Sequence, residues 1–135
     1  MALQALLNID GKTYNVQDLD FKILQPSDNS GKPTAIAEGG IVNFTILANN
    51  ADNCFFQRWV LSIAEVESGE FLLPITDGIE HDQVIIKFED AYCTDLQVWY
   101  SNYNEKQLSM KISITPTKLI FGTGVEFVNK KIVKS

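Results

Sequence analysis

Residues 108–115 read Leu-Ser-Met-Lys-Ile-Ser-Ile-Thr, and this strict alternation constrains the fold more than any other feature. Apolar Leu108, Met110, Ile112 and Ile114 alternate with Ser109, Lys111, Ser113 and Thr115. A two-residue period is that of a strand with one buried face. Leu3, Ala5, Leu7 and Ile9 share it, as do Val42, Phe44 and Ile46. Further strands are expected at 71–75, 84–103 and 119–127, with Pro116 separating the last two as a strand terminator. Asp10-Gly11 is a two-residue hairpin signal.

Two segments break the alternation. Tyr14 and Val16 take one parity; Leu19, Phe21 and Ile23 take the other. A slip of one residue moves the apolar set to the opposite face, so a bulge is expected near Gln17 and Asp18. In FEDAYCTDLQVWYSNYN (88–104) the parity slips twice. Val84, Ile86 and Phe88 are even, Ala91 and Cys93 odd, and Leu96, Val98 and Tyr100 even again. Bulges are expected at Glu89 and Asp90 and at Thr94 and Asp95, with Cys93 pointing inward between them. The aromatics beyond are packing or contact surface.

Helical spacing occurs once, in Phe55, Phe56, Trp59, Val60, Ile63 and Ala64. Asp52 or Asn53 is the expected N-cap, Ser68-Gly69 the expected end, and Cys54 the start of the buried stripe. QPSDNSGKPTAIAEGG (25–40) has no period and reads as a long loop, which compact domains seldom carry without a task. The predicted fold is mainly β: one domain over 1–135, an antiparallel β-barrel of about seven or eight strands with one flanking α-helix.

At 135 residues a chain buries roughly two-thirds of its unfolded surface and needs no disulfide or metal to hold a core. A formal charge of −6 excludes general affinity for nucleic acid or anionic membranes. The opening MALQALLNIDGK lacks the basic region and cleavage site of a signal peptide, and no apolar run is long enough to span a membrane. Synthesis in the cytoplasm is expected, with Cys54 and Cys93 as free, buried thiols.

Catalytic and metal constellations are sparse, and no catalytic, cofactor or metal site is expected. His81, the sole histidine, stands in an acidic turn with Asp77, Glu80 and Asp82. A Cys93–His81 pair needs a spatial coincidence, and an exposed loop histidine is the simpler reading. No CxxC or HxxxH spacing occurs, and the acidic turn lacks calcium-loop spacing. SGKPT (30–34) resembles a phosphate loop superficially, but Pro26 and Pro33 occupy positions that need Gly and Ser or Thr. Charge is segregated: between Glu65 and Asp95 nine acids accompany Lys87, whereas from Lys106 onward six lysines accompany Glu126. Such blocks suit opposed surfaces and head-to-tail contacts, or merely two solvated faces.

Several pieces, in order, resemble a known family: IDGKTYNV (9–16), DNSGKP (28–33), EGG (38–40), FFQRW (55–59), FEDAYC (88–93) and ITPTKLIFGTGVEF (114–127). Together they are similar to the Bacteroidetes-type tube protein of type VI secretion systems (TssD, or Hcp), over nearly the whole chain. The ending NKKIVKS is less typical. The resemblance implies a non-enzymatic subunit forming six-membered rings that stack into a hollow tube. It also implies a spike, a contractile sheath and effectors as partners, and secretion through the type VI apparatus. Phage tail-tube and other contractile-injection tube proteins are similar in principle. Asp28, Asn29, Ser30, Gly31, Lys32, Pro33 and Thr34 are then expected to order on a neighbouring subunit or ring. Lys130, Lys131 and Lys134 are candidate stacking contacts with the acidic stretch. The competing readings are a small-ligand-binding β-barrel, disfavoured because small barrels fill with their own side chains, and a Cys93-dependent enzyme.

Overall fold

The computed structural model describes residues 4–24, 29–32, 38–48, 54–76, 81–102, 107–122 and 124–128. Among these residues, seven strands and one helix follow in the order β1 (Leu6–Ile9), β2 (Lys12–Leu24), β3 (Glu38–Leu47), α1 (Phe55–Leu61), β4 (Glu67–Thr76), β5 (His81–Ser101), β6 (Gln107–Phe121) and β7 (Val125–Val128). All pairings are antiparallel, with sheet order β3-β2-β1-β4-β5-β6-β7. A further β3–β6 pairing closes six strands into a ring and leaves β7 attached to β6.

The hairpin falls where expected. Ile9 pairs with Lys12, and both turn residues are left-handed (Asp10 φ 52°, Gly11 φ 74°), the type I′ geometry that matches strand twist. All three expected bulges are present. The β2–β3 register shifts between Val16 and Asp18, and the β5–β6 register between Cys93 and Asp95. Opposite β4, Glu89 and Asp90 together face Ser68, and Asp90 is left-handed (φ 49°).

The interior is filled by its own side chains. Phe44 stacks edge-on to Phe71 (5.1 Å), and Phe71 meets Phe88 (5.5 Å). Leu7, Ile46, Met110, Ile112, Ile114 and Leu119 are buried around them. α1 adds Phe55, Phe56 and Trp59, with Phe56 edge-on to Tyr14 at 5.2 Å. A seven-residue helix is too short to stand alone. Burial of these rings, about 2–3 kcal/mol each, holds it.

The helix differs from the sequence expectation at both ends. It stops at Leu61 because Ser62 is extended (φ −97°, ψ 132°) and its Oγ accepts the Ala64 and Glu65 amides at 3.3 and 3.0 Å. A serine competing for backbone donors in this way ends a helix. Ile63 and Ala64 are therefore exposed, and Ser68-Gly69 lies inside β4. Cys54 is not core: it is exposed and left-handed (φ 59°) at the position before the helix. Asp52 and Asn53 lie outside the described residues.

Pro116 also departs from expectation, since β6 runs through it unbroken. On the side away from β5, β6 pairs with β3 up to Ile114 and with β7 from Lys118. Pro116 falls between these partners, where a missing N–H breaks no ladder on that side. Pro74 obeys the same rule, lying just past Leu72, the last β4 residue paired with β1. The seam between β3 and β7 is closed by Gly40, over which the ring of Phe127 lies.

Candidate assembly surface

Part of the ring forms a continuous four-stranded sheet, β2-β3-β6-β5. Its register aligns Leu19, Phe44, Ile112 and Leu96 in one row and Ile46, Met110 and Val98 in another. These residues form the core face. The opposite face carries the rows Asp20, Asn43, Ser113, Asp95 and Asp18, Thr45, Lys111, Gln97. Hydrogen bonds tie the first row across three strands: Asn43 Nδ2 donates to Asp20 Oδ1 (3.0 Å) and Ser113 Oγ donates to Asn43 Oδ1 (2.6 Å). Thr94 Oγ1 donates to the Ser113 carbonyl at 3.3 Å. The result is a polar, ordered wall.

Among the described residues, each outer strand of this sheet is paired on its far side over only part of its length. β1 leaves β2 after Asn15 pairs with Leu6 and the Val16 amide donates to the Ala5 carbonyl. Residues 17–24 then pair only with β3. β4 leaves β5 at the Glu67–Ala91 pair, and residues 94–101 pair only with β6. A bulge follows each departure, at Gln17 on β2 and, three residues past Ala91, at Thr94 on β5. Bulges increase twist and re-aim a strand, and beyond them Leu19, Phe21 and Leu96 still pack against the core. The β5 edge carries exposed Val98, Trp99 and Tyr100 (41, 41 and 58% accessible), and the β2 edge carries exposed Ile23. Of the aromatics beyond Cys93, Trp99 and Tyr100 are thus surface, and Tyr103 lies outside the described residues. Unpaired, partly apolar edges invite further pairing.

The cysteine and histidine do not form a reactive pair. They lie twelve positions apart on β5, at about 3.3 Å per residue. Cys93 is buried, burial pushes its thiol up to about 11, and its Sγ donates to the Asp95 carbonyl at 3.8 Å. It is protonated at neutral pH. His81 heads β5 opposite Thr76. Asp77 and Glu80 lie outside the described residues, Asp82 is exposed, and among the described residues no three acidic, His or Cys side chains converge on a metal position.

The perturbed carboxylate is elsewhere. Glu67 is raised to about 7, first by burial, then by its hydrogen bond with Glu65 and the charges of Glu65 and Asp10. Helix packing brings the two glutamates together, as Trp59 Nε1 donates to the Glu65 carbonyl at 3.2 Å. Local sequence holds no signal for it beyond the E-x-E spacing.

The charge blocks do not occupy opposed surfaces where they are described. β5, with Glu89 and Asp95, is the direct neighbour of β6, with Lys111 and Lys118. Lys118 is ion-paired with Glu126 (2.7 Å), which raises its pKa. Of the expected stacking loop, Asn29, Ser30, Gly31 and Lys32 form an exposed turn with Gly31 at φ 89°. Asp28, Pro33, Thr34, Lys130, Lys131 and Lys134 lie outside the described residues.

Comparison with known proteins gives a consistent answer. The family model for hemolysin coregulated protein Hcp (TssD) matches residues 1–130. The fold is similar to that of Hcp1 from Flavobacterium johnsoniae (TM-score 0.76, 23% identity, covering 94% of this chain and 100% of that one). A mutant form of Hcp1 from the E. coli EAEC 042 pathovar superposes at 0.69 with 15% identity over 94 and 99% of the two chains. Secreted Hcp3 from Pseudomonas aeruginosa superposes at 0.67 with 14% identity over 96 and 99%. No curated protein matches the chain.

Proposed function

The chain belongs to the hemolysin coregulated protein family, Hcp (TssD), and is a structural subunit of a type VI secretion tube; from that premise we propose that its copies join edge to edge into six-membered rings that stack. It is a secreted tube component, and among the described residues no helix is long and apolar enough to cross a membrane. The observation that carries the ring reading is the pair of free edges on the four-stranded sheet.

Strand directions alternate across β2, β3, β6 and β5. The β5 edge of one copy therefore meets the β2 edge of an identically oriented copy in antiparallel fashion. An odd number of strands would not allow this. The contact is heterologous, and heterologous contacts close into rings when the rotation permits. Six copies would align about 24 strands, and at about 4.8 Å spacing the wall has a radius of about 18 Å before tilt. That leaves an open channel with the Asp20–Asn43–Ser113–Asp95 wall on one face and the barrel core and α1 on the other. A hydrogen-bonded polar wall suits a channel that passes folded effectors, and the exterior is left to a sheath, with a spike at the tip.

For stacking, residues 28–34 and the terminal Lys130, Lys131 and Lys134 are the proposed contacts between rings. Negative-stain imaging with light scattering tests the reading. Rings with a central hole and a mass near 91 kDa, six times 15.1 kDa, are expected. A stable monomer at tens of micromolar would refute it.

A further inference from the structure

We propose that Lys22 of one copy pairs with Asp95 of the next, and that this pair fixes the register in which the two edges meet. The inference rests on the edge-to-edge reading and adds to it which residues face each other.

The two edges, 17–24 on β2 and 94–101 on β5, limit the choice. Polar residues must stay on the polar face, so Asp18, Asp20 and Lys22 can face only Asp95, Gln97 and Trp99. Registers therefore change in steps of two. Setting Asp95 opposite Asp20 aligns only 17–21 with 94–98 and puts carboxylate against carboxylate, which is destabilising. Setting Asp95 opposite Lys22 aligns 17–23 with 94–100 and creates an ion pair. The next step overlaps as far, 18–24 with 95–101, but places Lys22 opposite Gln97 and Asp95 opposite Leu24. It leaves both charges without a counter-charge.

The core face agrees with the middle register, which sets Phe21 against Leu96 and Leu19 against Val98. All four are incompletely buried in the single chain. Lys22 and Asp95 are both exposed and make no ion pair among the described residues. The charge complementarity is thus between two side chains that the fold leaves unmatched. A cross-strand ion pair adds modest affinity, but a like-charge mismatch is costly, so its main effect is on register.

Paired cysteines test this in a Cys54→Ser background, with Cys93 buried and inert. Directly opposed antiparallel residues have Cα atoms within about 5.5 Å, a distance that a disulfide spans. Under mild oxidation, Lys22→Cys with Asp95→Cys should give a denaturation-resistant ladder ending at the closed ring. A ladder from Asp20→Cys with Asp95→Cys, or Lys22→Cys with Gln97→Cys, in its place would overturn the register while leaving edge pairing intact. Rings in negative stain with no ladder from any pair would overturn both. Should the cysteine variants not assemble, sedimentation of charge reversals decides. Lys22→Asp or Asp95→Lys alone should weaken association about tenfold per contact, and the double reversal should restore it. Unchanged association in both single variants would overturn the pairing.

Discussion

Replacing Gly40 by alanine should destabilise the chain by about 3 kcal/mol, through two separable effects. The first is backbone. Gly40 has φ 77° and is the extra residue at the β2–β3 irregularity, where Lys22 pairs with Ile41 and Ile23 with Gly39. A left-handed L-residue costs about 1–2 kcal/mol. The second is packing. An added Cβ would stand 2.5 Å from Phe127 Cε2, 3.1 Å from Cδ2 and 3.4 Å from Cζ. Phe127 is buried, so its ring can give way only by displacing its own neighbours, and overpacking of this kind costs about 1–3 kcal/mol. Urea unfolding at low protein concentration, where assembly does not contribute, measures the sum. The melting temperature should fall by about 12 °C, at about 4 °C per kcal/mol for a chain of this size. Repeating Gly40→Ala in a Phe127→Ala background should cost only the backbone part, about 1–2 kcal/mol. A loss below about 0.5 kcal/mol would refute the reasoning. An equal loss in both backgrounds would refute the steric half.

Four further outcomes follow from the same geometry. Because the folded pKa of Glu67 lies near 7 against 4.5 unfolded, the folded state holds the extra proton between those values, and stability should fall as pH rises from 4.5 to 7. Solvent screening at this partly exposed pair limits the fall to about 1 kcal/mol, and Glu67→Gln should flatten it in unfolding curves taken at about pH 5 and about pH 8. With an aromatic disulfide reagent at neutral pH, Cys54 should react at once and Cys93 only on unfolding; two fast thiols in the native protein would contradict a buried Cys93 near 11. Deleting residues 28–34 should leave folded rings in negative stain but shorten stacked tubes, and tubes of normal length would eliminate the loop as a stacking contact. Ring stacking measured by sedimentation should weaken as salt rises, and no change between low and high salt would remove Lys130, Lys131 and Lys134 from the interface.

Much of the fold is legible in the sequence because a parity slip moves every later side chain. Val16 to Leu19, Phe88 to Ala91 and Cys93 to Leu96 each reveal a bulge without knowledge of the partner strand. The same logic fails at Pro116, whose effect depends on which neighbour stands beside it, and β3 and β7 meet β6 on either side of that residue. It fails again at Ser62, where a side-chain oxygen ends a helix that the apolar spacing would have continued to Ala64. Cys54 escapes it for a related reason, since a stripe tells which face is buried but not where the first turn begins.

The charge blocks carry a more general lesson about function. Acids between Glu65 and Asp95 and lysines from Lys106 onward look like two surfaces along the chain, yet a hairpin makes β5 and β6 neighbours and neutralises much of the contrast locally. What remains is the charge that the hairpin cannot reach. Lys22 and Asp95 sit on strands at opposite edges of one sheet, with β3 and β6 between them. Within a single copy they cannot meet, and a second copy in the same orientation brings them together. Both edges are available because the inner partners end early, β1 at the Leu6–Asn15 pair and β4 at the Glu67–Ala91 pair, and the bulges at Gln17 and Thr94 follow close behind. One chain can thus complete its own core and still present two unfinished edges, provided the inner partners end where these do.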